Sequence, residues 1–144
     1  MRARSACSVL LIAIAALGCR PHATTAVAWS TTASGLGFVD LAPGDGPVPR
    51  LGQPCVVEAR GWVEEKGGKG TLFLDTYKRG YPATFPLGVG RVIKGWDEGV
   101  ATMKRGGRRL LRVPPALGYT VQEAGHDIPP GATLLFEIEL AEIR

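Results

Sequence analysis

Apolar and polar residues along this chain follow two spacings. Short runs keep period two or stay continuously apolar, and turn residues separate them: Leu36 to Leu41 before Pro43-Gly44-Asp45-Gly46, Cys55 to Val63 before Lys66-Gly67-Gly68, then Thr71 to Leu74 and Thr84 to Leu87. Successive side chains of a strand point to opposite faces, so such runs predict strands. Between Gly95 and Met103 the period changes. Trp96, Val100 and Met103 fall on one face at helical spacing and Arg105-Gly106-Gly107 ends the run, which predicts a short helix. Two further strands follow, Arg108 to Val113 and Thr133 to Ile143. In the second, Leu134, Phe136, Ile138 and Leu140 alternate with Leu135, Glu137 and Glu139. The expected class is α+β, an antiparallel sheet with one short helix across it.

The first residues follow a different rule. Basic Arg2 and Arg4 precede an apolar run from Ser8 to Gly18, too short to span a bilayer, which takes roughly 20 apolar residues as a helix. Residues 1–18 therefore read as an export signal. The small residues of Ala16-Leu17-Gly18-Cys19 resemble a bacterial lipobox, which predicts cleavage before Cys19 and two acyl chains on its thiol. Two chains give the stable anchoring that one chain does not. The alternative is an ordinary signal cut after Ala28, which leaves a soluble periplasmic protein. Residues 19–34 are small and polar and read as a flexible tether. The folded domain is expected over 35–144, working on the periplasmic side of a bacterial membrane.

The 144 residues suit one domain with a short extra segment. Formal net charge is +4, and Arg2 and Arg4 supply half of it, so what remains is too mild for a nucleic-acid surface. Twenty glycines and eleven prolines beside few aromatics favour a loop-rich domain over a helix bundle. Of three cysteines, Cys7 leaves with the signal and Cys19 takes lipid. Cys55 is then alone, expected as a small buried apolar residue. His22 and His126 have no second ligand at metal-binding spacing, and no cofactor is called for.

Four segments, in order, carry a family likeness: Arg91-Val92-Ile93-Lys94-Gly95-Trp96-Asp97-Glu98-Gly99-Val100, Gly106-Gly107-Arg108-Arg109-Leu110, Pro114-Pro115-Ala116-Leu117-Gly118-Tyr119 and Ile128-Pro129-Pro130-Gly131-Ala132-Thr133-Leu134. Their order and spacing resemble those of the FKBP-type peptidyl-prolyl isomerases, and Lys78-Arg79-Gly80 through Phe85-Pro86-Leu87-Gly88 extends the similarity. The resemblance implies a five- or six-stranded sheet curled around the helix and an apolar pocket for a substrate proline. Trp96 would floor that pocket, with Phe73, Val92, Ile93, Tyr119, Ile128 and Phe136 as walls. The Ile93 N–H and the Tyr119 hydroxyl would bind substrate carbonyls. It also implies proline-containing polypeptides as partners and macrolides as ligands.

Two departures from that pattern stand out. Where most active members have a tyrosine this chain has Ala59, and where they have an aspartate directly after the pocket phenylalanine it has Leu74. The two family residues normally hydrogen-bond each other, so losing both leaves no buried carboxylate unpaired. Two functions remain open on the sequence: an isomerase assisting the folding of exported proteins, and a catalytically weak domain that only binds peptide. Asp75, one position late, would face away from the pocket unless a bulge re-aims it. The charged loop Glu64 to Gly70 reads as a solvated hairpin end, and Val121 to Asp127 as a loop overhanging the pocket.

Overall fold

In the computed structural model, residues 27–120 and 125–144 are described. The expected signal, Cys19 and most of the expected tether lie outside them, as does the start of the loop at Val121. Seven strands form one antiparallel sheet: β1 (Ser30–Thr31), β2 (Gly37–Ala42), β3 (Pro54–Glu65), β4 (Gly68–Asp75), β5 (Ala83–Pro86), β6 (Arg108–Val113) and β7 (Leu134–Ile143). Their order is β1-β2-β6-β7-β3-β4, and β5 shares the outer edge of β3 with β4. The described residues also include two helices, α1 (Thr76–Arg79) and α2 (Lys94–Ala101), and one 3-10 turn at Pro115–Leu117.

Alternation on the three central strands decides which side becomes core. Cys55, Val57, Ala59 and Val63 of β3, Leu134, Phe136, Ile138 and Leu140 of β7, and Leu111 and Val113 of β6 are buried on one face. The other face carries charge, where Glu137 meets Lys69 at 3.1 Å and also Arg108, and Arg112 meets Glu64 at 2.9 Å. Helix α2 crosses the apolar face and closes the core with Trp96, Val100 and, just beyond its end, Met103. It lies close because Gly95 and Gly99 face the sheet. A Cβ at Gly95 would come within 2.7 Å of Val113, and one at Gly99 within 2.6 Å of Leu111.

The sequence places the six longer strands within three residues of their observed ends, and it starts α2 one residue late and ends it two residues late. The short β1 lies in the segment expected as tether. Ser30 and Thr31 pair with Phe38 and Gly37, and the Trp29 ring occupies the space that Gly37 leaves by having no side chain. The hairpin end is as expected, with Lys66 and Gly67 both at positive φ in a two-residue turn between β3 and β4.

Helix α1 was not foreseen, and Asp75 explains it. The Asp75 carboxylate accepts from the Lys78 N–H at 3.0 Å as an N-cap and lies 3.4 Å from Arg60. The capping N–H, helped by Arg60, holds this carboxyl below the usual aspartate range. The next residue, Thr76, is fully buried where β4 gives way to β5 along the edge of β3. Its hydroxyl accepts from the Ala59 N–H at 2.9 Å and donates to Glu58. A backbone donor that lacks a ladder partner at this gap is thereby satisfied.

Candidate functional site

The site is built where the loop before α2 meets the turn after β6. Helix α2 starts directly after Ile93 without a side-chain cap. Asp97, in its first turn, reaches back so that one carboxylate oxygen accepts from the Gly88 N–H at 2.8 Å and the other from the Gly90 N–H at 3.0 Å. These two bonds pin the loop that carries Val92 and Ile93. On the facing side, Pro114 and the 3-10 turn lead into Gly118 and Tyr119. Between them opens a cleft of about 550 Å³, lined by Val92, Ile93 and Tyr119 together with Pro115, Ala116, Gly118 and Thr120 and rimmed by Arg91 and Lys94.

Aromatic rings run from this cleft into the core. Tyr119 and Phe73 meet edge to face at 6.4 Å, Phe73 and Phe136 at 5.6 Å, and Phe136 and Trp96 at 5.4 Å. Trp96 then tilts against Phe85 at 5.8 Å. Phe73, Val92, Ile93, Tyr119 and Ile128 are all half-buried and pack against the cluster that contains Trp96.

Of the seven residues expected around a pocket, three line the cleft: Val92, Ile93 and Tyr119. Ile128 borders a small adjoining hollow with Tyr119, and Phe73 lines a shallow groove with Leu72 and Leu74. Trp96 lies deeper, 5% exposed, so it sits beneath the rim residues. Phe136, expected as a wall, has no exposed surface because the ring of Phe73 lies edge-on against it and β7 holds it in the core. The indole nitrogen of Trp96 is buried with no hydrogen-bond partner among the described residues. An orphaned buried donor costs about 1–3 kcal/mol, so packing alone does not account for an indole here.

Neither Ala59 nor Leu74 lines the cleft. Ala59 is fully buried, while Leu74 is half-buried and packs on the core beside Phe73. Cys55 is a free, buried cysteine whose thiol is pushed up by burial and, secondarily, by the charge of Asp97, so it is no ready nucleophile. No helix among the described residues is long and apolar enough to cross a membrane.

Two supporting residues were missed by the sequence reading. Asp97, which pins the cleft loop, is one. The other is Arg109, 5% exposed, which spans from the sheet to the end of α2: it donates to Asp40 at 2.7 and 3.1 Å, to the Gly99 carbonyl at 2.9 Å and to the Thr102 hydroxyl at 2.6 Å. Its guanidinium also lies 4.6 Å from the centre of the Phe38 ring. A signal for it existed, since alternation puts Arg109 on the same face as Leu111 and Val113.

Comparison with known proteins bears on the same residues. A family model described as FKBP-type peptidyl-prolyl cis-trans isomerase matches residues 46–141. The chain is 46% identical over 109 residues to an FK506-binding protein of Neisseria meningitidis serogroup B, covering 76% of this chain and 96% of that one. It is 42% identical over 127 residues to the chloroplastic peptidyl-prolyl cis-trans isomerase FKBP13 of Arabidopsis thaliana, covering 81% of this chain and 59% of that one. Among solved structures, AtFKBP13 superposes with a TM-score of 0.72 at 40% identity, covering 81% of this chain and 99% of that one.

Proposed function

The chain belongs to the FKBP-type peptidyl-prolyl cis-trans isomerase family, and on that footing we propose how its own residues turn a prolyl bond and where they do so. Rotation about an X-Pro bond meets a barrier of ~18–20 kcal/mol from amide resonance, and no covalent bond needs to break. A site lowers that barrier by binding the twisted amide better than the planar one. A dry apolar surface favours the twisted form, which has lost resonance and with it much of its charge separation. The pyrrolidine ring enters over Trp96, between Phe73, Val92 and Ile128, with Phe136 backing Phe73 from below. The Ile93 N–H and the Tyr119 hydroxyl hold the substrate carbonyls. A macrolide of the kind named in FK506-binding proteins would occupy the same cleft.

The observation that carries this reading is the run of edge-on rings from Tyr119 to Trp96, beginning at an open cleft walled by Val92 and Ile93. Replacing the family's tyrosine and aspartate by Ala59 and Leu74 leaves this wall apolar and removes a polar pair, so turnover is slower than in members that keep the pair. The test is exchange spectroscopy on an X-Pro peptide. Catalysis above the spontaneous rate is expected, and Tyr119→Phe should lower kcat/KM about two- to tenfold, the net worth of one hydrogen bond. A wild-type rate equal to the spontaneous one would remove the enzyme reading and leave a peptide binder.

The substrates are exported polypeptides, for which uncatalysed prolyl isomerisation takes tens of seconds or more. We place the domain outside the cytoplasm, held by lipid on Cys19 through the small polar tether. Intact mass of the processed chain checks this: it should begin at Cys19 and carry acyl mass, whereas an unmodified N-terminus after residue 28 would show plain secretion.

A further inference from the structure

The charge around the cleft is one-sided. Arg91 and Lys94 bracket Val92 and Ile93 on its rim, both are exposed, and no aspartate or glutamate is among the residues lining it. Neither cation has a carboxylate partner among the described residues, so both charges are open to a ligand entering the cleft. The nearest acid in sequence, Asp97, is turned inward to the Gly88 and Gly90 amides.

The groove beside Phe73 repeats the arrangement. Lys78 and Arg79 line it, and its single acid, Asp75, is engaged by Arg60 and by the Lys78 amide. A chain crossing from the groove to the cleft would thus pass cations on both sides of an apolar centre. With Arg91 and Lys94 on its rim and no acid among its lining residues, the mouth of the site favours a ligand that brings the opposite charge.

We propose that Arg91 and Lys94 set substrate preference, selecting proline segments that carry a glutamate or aspartate immediately before or after the proline. This rests on the isomerase reading of the same cleft and adds the class of substrate to it. The apolar surface holds the ring, while the rim cations draw the flanking carboxylate and raise its local concentration at the cleft. Because the pairs are exposed, the gain is modest and sensitive to salt.

The experiment uses the full chain and blocked five-residue peptides with proline at the centre and glutamate, glutamine or lysine at either neighbouring position, followed by exchange spectroscopy. For at least one of the two positions, kcat/KM should rank glutamate over glutamine over lysine, with about three- to tenfold between the extremes at low ionic strength, as expected for one or two partly screened pairs. High salt should compress the ranking. R91Q/K94Q should flatten it and R91E/K94E should place lysine above glutamate, a ratio read within each variant and so independent of its overall rate. Equal rates for all three peptides with wild-type protein, at clear catalysis, would overturn the charge preference and leave the isomerase standing. Should no peptide be catalysed, the isomerase reading falls instead, and amide-shift titration at Val92 and Ile93 decides: tighter binding of the glutamate peptide keeps the preference, equal binding ends it.

Discussion

Phe136→Ala is expected to destabilise the domain by about 3–5 kcal/mol, toward the upper end of what a single core truncation costs. The ring has no exposed surface and sits in the middle of the aromatic run, 5.6 Å from Phe73 and 5.4 Å from Trp96. What surrounds it cannot easily close a hole. Gly61 lies against it without a side chain, in a space so tight that a Cβ there would fall 2.8 Å from the Phe136 ring. Helix α2 is held from the other side by its glycine contacts with β6 and by the Arg109 bonds to Gly99 and Thr102. Urea denaturation followed by circular dichroism measures the loss, with Phe136→Leu as the milder control. Total stability of such a domain is ~5–15 kcal/mol, so this one substitution should remove a large share of it. A cost below ~1 kcal/mol would mean that the run of rings does not hold the sheet and helix together.

Much of this architecture was legible because the strongest signals are local. The period-two runs of β3, β6 and β7 state both their type and their buried face, and the spacing of Trp96, Val100 and Met103 states that α2 packs on the same core. What escaped depends on partners far away in the chain. Arg109 reads as an outward residue by polarity although alternation turns it inward, and what makes the inward place tolerable is the meeting with Asp40 and the Gly99 carbonyl. Nothing local marks Thr76, whose role arises only where β4 and β5 leave the Ala59 amide without a sheet partner. The strand at Ser30–Thr31 has almost no apolar content, and it forms because Trp29 lies over Gly37.

The candidate site divides along the same line. Its residue types were readable, since Val92, Ile93 and Tyr119 come from short segments whose order carries the family likeness, and all three line the cleft. Depth was not readable. Phe136 is expected as a wall, yet β7 and the Phe73 ring enclose it, while Trp96, expected as the floor, is 5% exposed, so the rim and the core form two layers. Likewise the clamp from Asp97 to the Gly88 and Gly90 amides follows from a loop conformation that composition alone does not specify.

Trp96→Leu separates those layers by function. If the indole served packing alone, leucine would be a tolerable replacement, costing about 1–3 kcal/mol for the missing ring and recovering part of it by removing an unpartnered buried donor. Its effect on catalysis would then be no greater than that of any core change. If the indole is the surface on which the proline ring turns, the loss is of another kind, because the flat face presented under Val92, Ile93 and Tyr119 disappears while the fold survives. We expect kcat/KM to fall about ten- to a hundredfold, equivalent to roughly 1.4–2.7 kcal/mol of transition-state stabilisation. The fold should remain, as judged by circular dichroism and an unchanged denaturant slope. A core substitution further from the cleft, Val100→Ala, supplies the comparison: it should lower stability by a similar amount and leave kcat/KM within about twofold. Equal catalytic losses for the two variants would assign Trp96 to the interior and move the substrate surface outward to Phe73 and Tyr119.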